Sequence, residues 1–255
     1  MTWKYISSSV TGKAHSDRNE PGQDYCRSCI IGKAGKEFFI GLAADGAGST
    51  TDGGTGAEIA CDTIYEYIVD TLEKKDDISL ITEPDITGWV TGARESIDAC
   101  AEKKGKMPGD YACTCLGSVV GRDHALFFQI GDGGIVVNSD NGYRTIFWPE
   151  QGEYINSTCF LSDVLYREHL NIAFMDCSFD EIALFTDGLQ NLVLSFYQKK
   201  AHTGFFKPIF EALKNNTDQG FFGSSPQLSS FLLHQKISER NDDDKTLVLA
   251  VRVPD

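Results

Sequence analysis

Three times the chain runs an apolar, strand-like stretch straight into Asp-Gly. FIGLAADG ends at Asp45-Gly46, FFQIGDG at Asp132-Gly133 and IALFTDG at Asp187-Gly188. A fourth acidic run, Asp242, Asp243 and Asp244, stands directly ahead of the strand-like TLVLAVRV (246–253). One Asp-Gly is an ordinary turn. Repeated at the ends of buried-looking strands, it restricts the fold to two kinds. Either the carboxylates scatter over the surface as turn residues, or the strand ends converge. Residues this distant in sequence converge only through tertiary structure.

The rest of the chain supplies the strands for convergence. WKYISSSV (3–10), YCRSCIIG (25–32) and EFFIGLAA (37–44) are rich in strand formers, and so are YACTCLGSVVG (111–121), ALFFQIG (125–131), GIVVNSD (134–140), TIFWPE (145–150), NIAFMDCS (171–178) and EIALFTD (181–187). Asp140-Asn141-Gly142 is a hairpin turn. Residues 52–75 carry helical periodicity, with Ala57, Ala60, Ile64, Tyr67 and Ile68 on one face and N-cap candidates Ser49, Thr50, Thr51 and Asp52 ahead of them. Further helices are expected over 85–106, through GLQNLVLSFY (188–197) and FFKPIFEALKNN (205–216), and over 222–240 with Pro226 near the start. Runs of strands separated by runs of helices point to an α+β fold with antiparallel sheets, not a doubly wound one. With no repeat or linker, one domain over 1–255 is expected.

Composition narrows the function. Hydrophobic residues make up 41%, enough for a sizeable core. No apolar run approaches the ~18 residues of a membrane span, and MTWKYISSSV has no export-signal pattern, so no membrane association and a cytoplasmic location are expected. The net charge of −14 opposes nucleic-acid binding, which depends on Lys and Arg neutralising phosphates. Cys26 and Cys29 form a CxxC and Cys113 and Cys115 a CxC, but both lie in strand-like text whose alternate residues face opposite sides. Reduced, buried thiols are expected there, not a zinc site.

If the Asp-Gly ends converge, the chemistry follows from the ligand type. Mg²⁺ and Mn²⁺ prefer carboxylate, carbonyl and water oxygens. Two ions roughly 3.5–4 Å apart need several short carboxylates, and such a pair activates water and neutralises a phosphate under attack. Asp24, Asp45, Asp132, Asp187 and the 242–244 run are the candidates.

The motif order, GQDY (22–25), DGAGS (45–49), CTCLGSVV (113–120), GDGG (131–134), TDGL (186–189) and DDKT (243–246), resembles the metal-dependent protein phosphatases of the 2C type, in particular their compact bacterial subclass. The resemblance spans roughly residues 8–252. It implies an α/β/β/α four-layer sandwich, two antiparallel sheets flanked by helices. It also implies a serine/threonine protein phosphatase in which a metal-activated water attacks phosphoserine or phosphothreonine. The implied cofactors are two Mn²⁺ or Mg²⁺ ions, with a third in some members. By position, Asp45 bridges the two ions and Gly46 offers its carbonyl. Asp187 and Asp243 complete one shell, Asp132 joins Asp187 at the looser third site, and Asp24 acts through water or from behind. Thr114 packs and hydrogen-bonds near the site. A phosphoprotein substrate, a cognate kinase and a monomeric state are the implied partners and assembly.

Two positions depart from the family pattern. Gln23 stands where many members carry Glu, and the phosphate-binding Arg upstream has no clean equivalent; His15 and Arg18 are the candidates for that place. Arg18 suits a phosphate by its bidentate geometry, and His15 suits proton donation to the leaving alkoxide. These departures keep open a second reading, a catalytically weak relative that binds phosphoproteins or partners. A nucleotide-binding reading of DGAGSTTDGGTG lacks the GK[ST] such a loop needs.

Overall fold

The computed structural model describes residues 2–33, 35–148, 158–216 and 223–254. In chain order the elements are β1 (Thr2–Val10), a one-turn α1 (Lys13–Ser16), β2 (Asp24–Lys33), β3 (Lys36–Asp45), α2 (Gly53–Lys74), α3 (Glu83–Lys104), β4 (Cys115–Val120), β5 (His124–Ile130), β6 (Gly134–Ser139), β7 (Gly142–Thr145), β8 (Asn171–Asp176) and β9 (Glu181–Phe185). There follow α4 (Gln190–Val193), β10 (Leu194–Ser195), β11 (Lys200–Ala201), α5 (Thr203–Asn215), β12 (Gly223–Ser224), α6 (Pro226–Leu232), α7 (Gln235–Ser238) and β13 (Lys245–Val253).

Two sheets stack face to face. One has the order β12-β1-β13-β9-β6-β7 and the other β2-β3-β4-β5-β8. All pairings within them are antiparallel except the short edge contact of β12 with β1. The central strands alternate their side chains between two apolar surroundings. Phe39, Leu116, Phe127, Ile182, Leu184 and Val248 fill the space between the sheets. Leu42, Val119 and Phe128 face α2 and α3, where Ile64, Ile68, Trp89 and Ile97 cover them. On the opposite side Phe185, Leu247 and Leu249 are covered by Phe206 and Phe210 of α5 and Leu228 and Leu232 of α6. This is the expected helix–sheet–sheet–helix sandwich. Among the described residues no helix is long and apolar enough to cross a membrane. Cys26 lies between the sheets and Cys29, Cys61, Cys113 and Cys115 on the α2–α3 side, all as free thiols.

The structure corrects several local expectations. The strand expected at 145–150 lies earlier, at β7, because the two-residue Asp140-Asn141 turn sets the register Ser139↔Gly142 and pairing begins at once; Pro149 and Glu150 lie outside the described residues. The helix expected through 188–197 shrinks to α4, and Leu194 pairs with Ala201 in a small hairpin that takes up its backbone groups. The helix expected over 222–240 is two pieces; Phe222 lies outside the described residues, and His234 is extended, its side chain accepting from Lys236 N–H to start α7. Tyr67 is 43% exposed and leans over Gly92 of α3 instead of entering the core stripe. Asp52 occupies the N-cap of α2 without capping it, because its carboxylate pairs with Lys106.

α2 lies close to the turn before β4. A methyl group on Gly56 would sit 2.1 Å from the Tyr111 carbonyl oxygen, which is backbone and has nowhere to move. Helix propensity alone favours Gly56→Ala by about 1 kcal/mol. Overpacking costs roughly 1–3 kcal/mol, so the substitution should lower the urea midpoint. A raised midpoint would show that α2 does not pack this tightly.

Candidate metal centre

Antiparallel pairing places the start of one strand beside the end of its neighbour. Asp24 opens β2 and Asp45 closes β3, and the two are register partners. Asp132 stands in the turn between β5 and β6. Gly134 at the start of β6 pairs with Phe185 at the end of β9, so Asp187 arrives at the same end. Phe185 pairs with Leu247 near the start of β13, and Asp243 lies just ahead of that strand. The acidic ends thus converge from both sheets on one end of the sandwich. Carboxylate oxygens of Asp45, Asp132 and Asp187 lie within 4.8 Å of one another. Asp243 is near enough for its charge to act on both Asp45 and Asp187.

Local hydrogen bonds hold these residues. The Asp45 N–H donates to Thr114 Oγ1 at 2.9 Å, and the Thr114 N–H donates to the Asp45 carbonyl at 2.8 Å. Asp24 ties the two sheets together: its Oδ2 accepts from Thr186 Oγ1 at 2.7 Å and from Thr246 Oγ1 at 2.8 Å. Its Oδ1 is buried without a donor. Thr158 Oγ1 donates to Asp132 Oδ2 at 3.0 Å. Asn241 steadies Asp243 from behind, its Oδ1 accepting the Asp243 N–H at 3.0 Å.

The glycines of the three Asp-Gly pairs are needed for different reasons. A Cβ on Gly46 would lie 2.2 Å from the Gly53 carbonyl carbon, where α2 begins. A Cβ on Gly188 would lie 1.9 Å from the Asp244 carbonyl oxygen. Only Gly133 has the positive φ, +100°, that glycine tolerates without strain.

Electrostatics make the cluster costly as it stands. Burial, then the facing Asp24, Asp187 and Asp243 charges, push the Asp45 carboxyl far above the ordinary range. Burial likewise raises Asp24, against the pull of its two threonine donors, to about 7. Asp187 rises to about 7 through burial and the Asp132 and Asp243 charges, and burial raises Asp132. Lys245 is buried beside them, but its Nζ donates to the Asp243 carbonyl at 2.5 Å, and one ammonium cannot balance this set. Oxygen-only donors, an orphaned buried carboxylate oxygen and uncompensated negative charge together fit hard divalent cations.

The two candidates for the phosphate side part company. His15 is buried; its Nδ1 lies 3.0 Å from Asp244 Oδ1, and its Nε2 has no hydrogen-bond partner. Arg18 is half-exposed and its Nε pairs with Glu20 at 2.6 Å. Gln23 turns its amide toward the loop before α2, Nε2 donating to the Thr50 carbonyl at 3.2 Å. Asp244, Lys245, Thr158, Thr186 and Thr246 also belong to this end of the molecule. Thr246 was visible within DDKT, and Asp244 and Lys245 as its neighbours. Thr158 and Thr186 carry no spacing that singles them out.

Comparison with known proteins agrees with this geometry. A family model described as protein phosphatase 2C matches residues 11–233, and the chain belongs to that family. It is 33% identical over 252 residues to serine/threonine-protein phosphatase 3 of Escherichia coli K12, covering 98% of this chain and 99% of the relative. The catalytic domain of the serine/threonine protein phosphatase PstP, solved in complex with two manganese ions, superposes with a TM-score of 0.59 at 14% identity over 99% of each chain. Stp1, a serine/threonine phosphatase from Staphylococcus aureus, superposes with a TM-score of 0.61 at 14% identity over 100% of this chain and 96% of that one. At that identity the two structures speak for the fold.

The raised carboxyls set a pH signature. An unfolded Asp titrates near ~4, and Asp24 and Asp187 titrate at about 7 when folded. Between those values the folded, metal-free chain holds more protons than the unfolded one, so its stability falls as pH rises. Cations that bind the ionised folded site oppose that fall. Thermal melts of EDTA-treated protein should show Tm dropping across this window, and saturating Mg²⁺ should flatten the slope. A metal-free Tm that climbs through the same window would contradict the clustering.

Proposed function

We propose that the chain is a metal-dependent serine/threonine protein phosphatase that hydrolyses phosphoserine and phosphothreonine monoesters. The observation that carries this reading is the convergence of Asp45, Asp132 and Asp187 within ligand distance of one another from three separate strand ends. Membership of the protein phosphatase 2C family and the likeness to the Escherichia coli phosphatase support the same reaction.

Two Mn²⁺ or Mg²⁺ ions, with a looser third, would neutralise the phosphate and activate a water for in-line attack. Asp45 would serve both ions, with the Gly46 carbonyl, Asp187 and Asp243 as further ligands, and Asp132 with Asp187 at the third site. Asp24 would act through water or from behind these, its Oδ2 held by Thr186 and Thr246 and its Oδ1 left for the site. Thr114 keeps Asp45 from turning away by fixing its backbone on both sides. His15 is the favoured proton carrier for the leaving serine or threonine oxygen: it is buried with its Nε2 unengaged, whereas Arg18 is half-exposed and its Nε pairs with Glu20. The whole chain acts as one catalytic domain in this reading. It works as a cytoplasmic monomer on phosphoproteins made by a cognate serine/threonine kinase.

Hydrolysis of a phosphothreonine peptide and of p-nitrophenyl phosphate should require Mn²⁺ or Mg²⁺ and stop with EDTA. Asp45→Asn and Asp187→Asn should each lower kcat at least ~100-fold, the scale of losing a principal catalytic electrostatic contact. His15→Asn should reduce kcat ~10²-fold or more, and Arg18→Ala should change it less. A wild-type protein that binds Mn²⁺ yet turns over neither substrate would overturn the enzymatic reading and leave phosphoprotein binding in its place.

A further inference from the structure

Asp244 is a buried carboxylate beside the proposed metal ligands with partners on both oxygens. It is 2% exposed. Its Oδ1 accepts the Gly12 N–H at 2.6 Å and meets His15 Nδ1 at 3.0 Å; its Oδ2 accepts the Gln23 N–H at 2.6 Å. Two of these partners are backbone donors with no other role to play. Both oxygens of Asp244 already accept a backbone N–H, so the geometry suits the His15 nitrogen facing Oδ1 as a further donor. The ring then has one nitrogen left. Nε2 is buried and has no partner among the described residues.

The surroundings keep this arrangement rigid. The Ala14 N–H donates to the Asp242 carbonyl at 2.8 Å, so the one-turn helix carrying His15 is pinned to the acidic run. Gly12 lies so close that a Cβ there would stand 2.2 Å from the Asp243 carbonyl carbon. The same three-residue stretch thus presents Asp243 to the metal centre and Asp244 to His15.

We infer that Asp244 is a positioning residue: it holds His15 in one ring orientation with hydrogen on Nδ1, leaving Nε2 as the nitrogen that exchanges a proton with the substrate's leaving oxygen. The inference rests on the proposed role of His15 in phosphate ester hydrolysis. In that step the doubly protonated ring gives its Nε2 proton to the leaving oxygen as the P–O bond breaks, and is left neutral with Nδ1–H still donating to Asp244; solvent water then returns a proton to Nε2. A purely structural Asp244 would tie the two backbone amides and leave the ring indifferent.

The first test reads the ring directly. ¹⁵N-edited NMR of the histidine ring nitrogens, with His15 assigned by His15→Asn, should show Nδ1 protonated in the full-length protein, both metal-free and with Mg²⁺. A bare Nδ1 with hydrogen on Nε2 alone overturns the inference, whether or not the protein is active. The second test is kinetic. Asp244→Asn puts an NH₂ in place of one acceptor oxygen, against either the Gln23 N–H or the Gly12 N–H and His15 Nδ1, and should lower kcat ~10–100-fold, the usual scale for a residue orienting a functional group, with KM little changed. The double variant with His15→Asn should be no slower than the slower single variant, because both remove one function. Losses that multiply would make Asp244 merely structural. If Asp244→Asn fails to fold, the wild-type ring measurement still decides. An inactive wild type with the expected ring state would count against the proposed reaction and not against Asp244.

Discussion

Everything at this end of the sandwich answers to one constraint: several aspartates have been taken partly out of water and brought within a few ångströms of each other. Such a group repels itself and loses hydration. Asp45 bears most of this, facing Asp24, Asp187 and Asp243 at once. No arrangement of the neighbouring side chains removes the problem. Lys245 is the buried ammonium in the vicinity, and it is engaged with the Asp243 backbone. Such a cluster fits hard divalent cations, and the scaffold holds the carboxylates in place.

That holding is done largely by hydroxyls and amides, not by countercharges. Thr114 grips the Asp45 backbone, Thr186 and Thr246 grip Asp24, and Thr158 grips Asp132. Neutral donors orient a carboxylate without competing for its charge, which leaves the charge for a metal. Asp24 shows a second benefit. It begins a strand of one sheet, while Thr246 lies in β13 of the other and Thr186 directly follows β9, so one hydrogen-bonded group fixes how the two sheets align where the carboxylates meet.

The region ahead of β13 joins these parts. Asp243 faces the carboxylates, Asp244 gathers His15 and two backbone amides, and Lys245 packs back onto Asp243. The backbone of Gly188 passes too close to the Asp244 carbonyl for any side chain. The N-terminal segment, the Asp187 turn and the last strand are therefore in direct contact and cannot be adjusted independently. Close packing makes such a junction rigid.

Much of this was legible in the amino-acid sequence. Most strands of both sheets, the two long helices and the acidic strand ends could be read because local periodicity and the Asp-Gly pattern are short-range signals; the edge strands β7 and β12 could not. The order of the motifs was enough to point to the family. Local signals failed at 188–197 and 222–240, where burial against α5 and the turn at His234 outweighed helical appearance. The sequence could also nominate His15 and Arg18 together but not separate them. They lie three residues apart, and only folding puts one beside Asp244 and the other against Glu20 on the surface. The same holds for Thr158, Thr186 and the division of labour between Asp243 and Asp244. Chain chemistry determined which carboxylates were available. Tertiary structure decided which of them face each other, because antiparallel pairing and sheet stacking, not spacing along the chain, set the distances between strand ends.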